Sequence, residues 1–182
     1  MYLMKWIALL VAPSLIGAAE APRTAPLDAP SRAVIAAASE PGERLTVTGV
    51  VYGADGRPLA KASVYVYHTD ARGLYSPGEN DSRNPRLRGY MRTDAEGRYE
   101  YRTIKPASYP NTSNPAHIHY HVNAPGHQER VFEIVFEGDP LVTAAIRARA
   151  AQEGSGFSLR PLQGDAEAGW RCTQDVRLRG ER

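Results

Sequence analysis

"RLTVTGVVYGADGRPLAKASVYVYHT", residues 44–69, decides the fold. Both ends alternate apolar and polar positions and are rich in Val, Thr and Tyr, the composition of half-buried strands. Between them "GADGRPL" supplies the glycine, aspartate and proline that turn a chain back on itself. The stretch reads as strand, tight turn, strand. The same grammar recurs further along the chain. "TDAEGRYEYRTI" (93–104) repeats turn then strand, "HIHYHVNA" (117–124) and "RVFEIVFE" (130–137) flank the turn "APGH", and "RCTQDVRLRG" (171–180) reads as a closing strand. One helix is expected, over "DPLVTAAIRARAAQEG" (139–154), with Asp139 as cap, Pro140 in the first turn and Gly154 as stop. Short strands with Gly and Pro punctuation and one late helix define a mainly β fold: a β-sandwich with one peripheral helix.

Two segments precede that domain, which is expected to span residues 44–182. Residues 1–21, "MYLMKWIALLVAPSLIGAAEA", have one lysine, an apolar run from Trp6 to Ala18 and then small residues. That is the layout of a secretory signal, with cleavage fitting after Ala19 or Ala21. The run is shorter than the roughly 20 apolar residues of a membrane span and contains Pro13. The expectation is export to the periplasm or the exterior, with no membrane attachment after cleavage. Residues 22–43 are rich in Ala and Pro without a lasting period and read as a tether or arm, with room for one helical turn at "SRAVIAAAS" (31–39).

The chain has 182 residues, enough for one domain with a real core. Its single cysteine, Cys172, excludes an intrachain disulfide framework and a cysteine-rich zinc site, and reads as a core position. The formal charge of +2 and the arginines scattered among acids give no footprint for nucleic acid.

Three of the five histidines, His117, His119 and His121, fall at alternate positions of one expected strand. Alternation sends them to one face and Ile118, Tyr120 and Val122 to the other. That is either a metal site or a strand with a polar outer face, and the histidines alone do not decide. Tyr65, Tyr67, Tyr99 and Tyr101 lie on strands, where tyrosines serve as cross-strand packing partners. Tyr75 and Tyr109 lie in the long polar loops 70–91 and 105–116 instead, where a tyrosine is either a hydrogen-bonded lid or a ligand. Two phenolates with two imidazoles form a hard, anionic donor set that favours ferric iron over copper or zinc. His121 is carried away from such a centre by a strand step of roughly 6.6–6.8 Å per two residues. A copper or zinc site on the three histidines would leave both loop tyrosines incidental.

From about Arg44 to Asp139 the sequence resembles the intradiol ring-cleavage dioxygenases, the family that includes catechol 1,2-dioxygenase and protocatechuate 3,4-dioxygenase. The matching pieces are "GVVYGADGRPLAKASVYVYHTDARGLYS", "RGYMRTDAEGRYEYRTIKPASYP", "HIHYHVNAPGH" and "FEGDP", in family order. The turn-and-strand pieces are weakly specific; the combination of "GLYS", "TIKP..YP" and "HIH" is highly specific. The resemblance implies a mononuclear, non-haem Fe(III) held by Tyr75, Tyr109, His117 and His119, with Tyr75 and His117 equatorial and Tyr109 and His119 axial. It implies a catechol-like substrate bound as a dianion, dioxygen as second substrate, and ring opening between the two hydroxylated carbons. Tyr109 is then also catalytic, leaving the metal to take a substrate proton. Homo-oligomerisation is compatible with this reading.

Two positions depart from the family pattern. Asn114 stands where the family carries arginine, and Glu133 where it often carries glutamine. Beside a dianionic substrate this exchange is unfavourable, since one charge-assisted contact is worth roughly 1.5–3 kcal/mol. Protonation of Glu133, its turning away, or an arginine from the 83–92 segment (Arg83, Arg86, Arg88 or Arg92) would relieve it. The same two positions support an alternative reading, a non-catalytic β-sandwich binding module that keeps the metal or only the fold.

Overall fold

The computed structural model describes residues 20–77, 81–152 and 154–181. The expected signal, residues 1–21, lies outside them except for its last two residues. The elements are β1 (Arg32–Val34), β2 (Arg44–Tyr52), β3 (Ser63–His68), β4 (Leu87–Arg92), β5 (Arg98–Ile104), β6 (His117–Asn123), β7 (Arg130–Phe136), α1 (Ala144–Ala150), β8 (Phe157–Arg160), β9 (Gln163–Asp165), β10 (Gly169–Thr173) and β11 (Val176–Arg177). They form two sheets, ordered β1-β5-β2-β10-β9 and β4-β3-β6-β7-β8, with β11 also paired to β2. Among the described residues the chain forms the expected β-sandwich with a single helix.

Strand alternation builds the core. Leu45, Val47 and Val51 of β2 and Tyr99 and Tyr101 of β5 meet Val64 and Val66 of β3, Ile118, Tyr120 and Val122 of β6, and Phe132 and Ile134 of β7. Burying each large side chain contributes about 1.5–3 kcal/mol. The tyrosine hydroxyls in this layer are partnered: Tyr101 and Tyr120 share a 2.6 Å hydrogen bond and Tyr99 donates to the Gln174 carbonyl at 2.5 Å. Cys172 is buried in the same core, which pushes its thiol pKa up to about 11.

Four local expectations change. The 22–43 arm is not irregular throughout: Arg32–Val34 form β1, parallel to β5, because the unpaired rim of β5 offers more hydrogen bonds than an isolated helical turn. Before β1 the arm crosses the second sheet, where Tyr90 donates to the Pro22 carbonyl, Ala25 N–H to the Ser63 hydroxyl, and Arg92 N–H to the Pro30 carbonyl. Ile35 then seats over Gly89, where any Cβ would stand 2.6 Å from its Cδ1. The polar segment 70–91 ends in a strand, β4, which pairs with β3. The closing segment is two strands, β10 and β11, both parallel to β2.

The helix starts later and stops earlier than expected. Asp139 does not cap it; its carboxylate accepts from Leu141 N–H and, across 23 residues, from Ala116 N–H. Thr143 is the cap, accepting from Ile146 N–H. At the other end Gln152 N–H bonds the Arg149 carbonyl, an i to i+3 contact that tightens the last turn ahead of β8.

His68 points inward from β3. One ring nitrogen lies 2.7 Å from the Thr69 carbonyl and the other 2.7 Å from the Thr103 hydroxyl on the opposite sheet. Full burial depresses its pKa from 6.5 to about 4. Between those values the unfolded chain binds a proton that the folded chain refuses, so stability falls as pH drops from 6.5 towards 4. Denaturant unfolding across that window should lose about 2–3 kcal/mol from this group, and His68→Asn, though less stable at pH 7, should show a shallower slope.

Candidate metal centre

The outer face of the second sheet carries the site. On β6 the core takes Ile118, Tyr120 and Val122, so His117, His119 and His121 face the other way. Register then chooses their neighbours: His119 lies between Tyr67 of β3 and Glu133 of β7. The Tyr67 ring stacks on the His119 imidazole at 4.4 Å and 11°, fixing its plane. Thus one of the four strand tyrosines packs against the site itself.

Two loops bring the tyrosines over this strand. The turn before Tyr75 is organised by buried Asp70, whose carboxylate accepts from the N–H groups of Arg72 and Leu74 at 2.8 and 3.1 Å and pairs with the Arg72 guanidinium at 3.0 Å. Burial opposes its charge, but these donors outweigh it and hold the carboxyl below its usual pKa. The second loop docks on the first. Ala107 N–H donates to the Asp70 carbonyl, and the Thr69 hydroxyl donates to the Ala107 carbonyl. Gly73 completes the junction: its φ is +82°, and a Cβ there would stand 2.0 Å from the Ser108 carbonyl oxygen, next to Tyr109.

The four residues expected as ligands converge. Tyr75 Oη lies 2.7 Å from His119 Nε2, Tyr109 Oη lies 2.9 Å from His117 Nε2 and 3.4 Å from His119 Nε2, and the two Nε2 atoms are 3.1 Å apart. The two phenolic oxygens are also in direct contact. Bonds of about 2.0–2.1 Å to one ion, at angles of 90–110°, set donor atoms about 3 Å apart. The donor set therefore fits a single first-row metal ion. Burial, and for Tyr75 the contact with Tyr109, raise both phenol pKa values, while burial lowers that of His117. A bound cation reverses that preference for the phenols.

The nitrogens not in this cluster are spoken for. His117 Nδ1 lies 2.7 Å from the Pro115 carbonyl, and His119 Nδ1 lies 3.2 Å from a Glu133 oxygen. Both contacts select the tautomer that leaves Nε2 free to ligate. His117, His119 and Glu133 group closely enough to share an ion, but Glu133 meets the opposite nitrogen of His119 from the one facing the tyrosines. His121 is turned to Glu129, 3.2 Å away, and takes no part.

None of the three reliefs considered for Glu133 holds. Burial favours its neutral form, but the hydrogen bond from His119 and the neighbouring imidazoles outweigh it and hold the carboxyl below its ordinary pKa. It does not turn away, since it lines the cavity described next. The four arginines serve other partners: Arg83 pairs with Asp81, Arg86 with Glu40, Arg88 bonds Asn84 and the Pro85 carbonyl, and Arg92 bonds carbonyls of Ala25, Pro26 and Lys61.

A cavity of about 240 Å³ opens beside Tyr109 and His117. Asn114, Pro115, Glu133 and Val135 line it, together with Ile146, Arg149 and Phe157 from α1 and β8. Those last three carry no local signal in the sequence; only the return of the chain along β7 places them here. Tyr75 is 3% exposed and lies outside the lining, so Tyr109 is the phenol that meets whatever enters.

Comparison with known proteins identifies the family. Residues 19–180 match the family model described as Dioxygenase, and the chain belongs to the intradiol ring-cleavage dioxygenases. It is 36% identical over 120 residues to catechol 1,2-dioxygenase 2 of Acinetobacter lwoffii, covering 57% of this chain and 44% of that one. It is 38% identical over 112 residues to the protocatechuate 3,4-dioxygenase beta chain of Burkholderia cepacia, covering 56% and 48%. The chain thus spans under half the length of these two curated relatives. Among solved structures, the dioxygenase domain of a dioxygenase carbohydrate-binding protein fusion from Streptomyces sp. SirexAA-E aligns with a TM-score of 0.65 at 27% identity, covering 92% of this chain and 97% of that one.

The junction at Gly73 is testable without a metal. Gly73→Ala combines a left-handed backbone with a carbonyl collision, and should cost about 2–4 kcal/mol, read as a lower midpoint of thermal unfolding.

Proposed function

We propose that this chain is a mononuclear, non-haem ferric dioxygenase that opens a catechol-type ring between its two hydroxylated carbons, and that it acts after export. The observation that carries the reading is the convergence of Tyr75, Tyr109, His117 and His119 on one point beside a cavity. Those four residues would hold the iron, whose Lewis acidity would make the diol acidic and electron-rich. Family membership and the names of the two relatives support a catechol-type substrate.

The protein's own residues divide the remaining work. Tyr75, buried and in ring contact with Tyr67, is held in place as a fixed ligand. Tyr109 borders the cavity, so its phenolic oxygen can move from the donor cluster and hold a proton taken from the substrate. Pro115, Val135, Ile146 and Phe157 give the ring apolar walls and limit water. Glu133 orients His119 through Nδ1. Asn114, with no charge of its own, offers the cavity an amide where the family pattern has a cation.

Protein purified without a histidine tag should contain about one iron per chain and show a visible tyrosinate band. Tyr75→Phe or His119→Ala should abolish both, and full iron occupancy in either variant would refute the assignment. Glu133→Leu should weaken iron binding about 10- to 100-fold. Under air, added catechol should yield the ultraviolet chromophore of the ring-opened diacid; iron and colour without turnover across a catechol panel would return the binding-module reading. Export is checked by the mass of the mature protein, which should begin at Glu20 or Pro22.

A further inference from the structure

The cavity has a direction. His119, Glu133 and Phe157 lie in one row across β6, β7 and β8. At about 4.8 Å per strand, Phe157 sits roughly 10 Å from the β6 backbone. The donor cluster occupies the β6 end, so a diol must place its oxygens there. Pro115, Val135 and Ile146 flank the ring's path. At the β8 end stands Arg149, three residues after Ile146 on α1 and therefore on the same helix face.

Arg149 is the one cationic side chain among the described residues lining this cavity. Its guanidinium lies over the Phe157 ring, 5.1 Å from the centroid, a contact that holds a long side chain against the wall without using its N–H donors. The carboxylate in the same cavity, Glu133, is engaged by His119. Resting on the diol reading above, we propose that Arg149 is a specificity-determining residue that binds an acidic substituent of the substrate, so that the site takes catechols carrying a carboxylate on the ring. The hydroxyls sit at the Tyr109 and His117 end, the ring between the apolar walls, and the carboxylate on the planar fork of Arg149. The positive charge missing at Asn114 is thus supplied at the opposite end of the ring, where it selects a substituent rather than neutralising the diol.

The test is anaerobic titration calorimetry on the iron-loaded mature protein, with 3,4-dihydroxybenzoate and unsubstituted catechol as the two probes. Arg149→Gln should lower affinity for 3,4-dihydroxybenzoate at least tenfold more than for catechol, as expected for loss of one charge-assisted contact. Arg149→Lys should restore part of that difference. Equal losses for both probes, or no loss for either, in protein with unchanged iron content and thermal midpoint overturn the assignment of Arg149 alone. Protein that takes up no iron refutes the diol reading and this inference with it.

Discussion

Strand β6 is buried on both of its faces, and the rest of the molecule is arranged around that constraint. Its inward residues, Ile118, Tyr120 and Val122, join the two sheets. Its outward histidines cannot point anywhere else without moving those three out of the core, because a shift of one residue would exchange the faces. Pairing on both sides then fixes the height of His119 against Tyr67 and Glu133. The stability of the sandwich and the aim of two imidazoles are therefore one property of one strand.

The tyrosines are held differently. Neither belongs to a ladder, so each depends on a loop that must be stiffened by its own bonds. Asp70 does this for the first loop and, through its carbonyl, ties in the second. Gly73 allows the two backbones to touch. Polar atoms that would repel or lose water in an apolar setting are thereby crowded within hydrogen-bond distance, an arrangement whose cost a bound cation would recover.

Much of this was legible in the sequence because it is local. Period-two alternation revealed β2, β3, β5, β6 and β7, and the same alternation put three histidines on one face. Tyr75 and Tyr109 stood out by lying off the strands. What the sequence hid depends on distant partners. β1 exists because β5 has an unpaired rim, and β10 lies parallel to β2 although 120 or more residues separate their paired positions. Asp139 looked like a helix cap because its true second partner, Ala116 N–H, comes from the loop before β6. Glu133 looked like a misplaced charge because its bond to His119 is visible only in the register of β6 against β7. Arg149 and Phe157 reach the cavity only after the chain has left β7 and returned.

The stretch ahead of β2 has a further effect. β4 and β5 are otherwise terminal strands, one in each sheet, and their outer backbone groups would be free to recruit a strand from another molecule. The stretch from Ala21 to Ile35 occupies both in turn: β4 donates through Arg92 N–H to Pro30, and β5 is covered by β1. Proline-rich chain of this kind cannot itself offer a continuous ladder outward. This stretch of the arm thus closes one edge of each sheet to strand addition from another molecule.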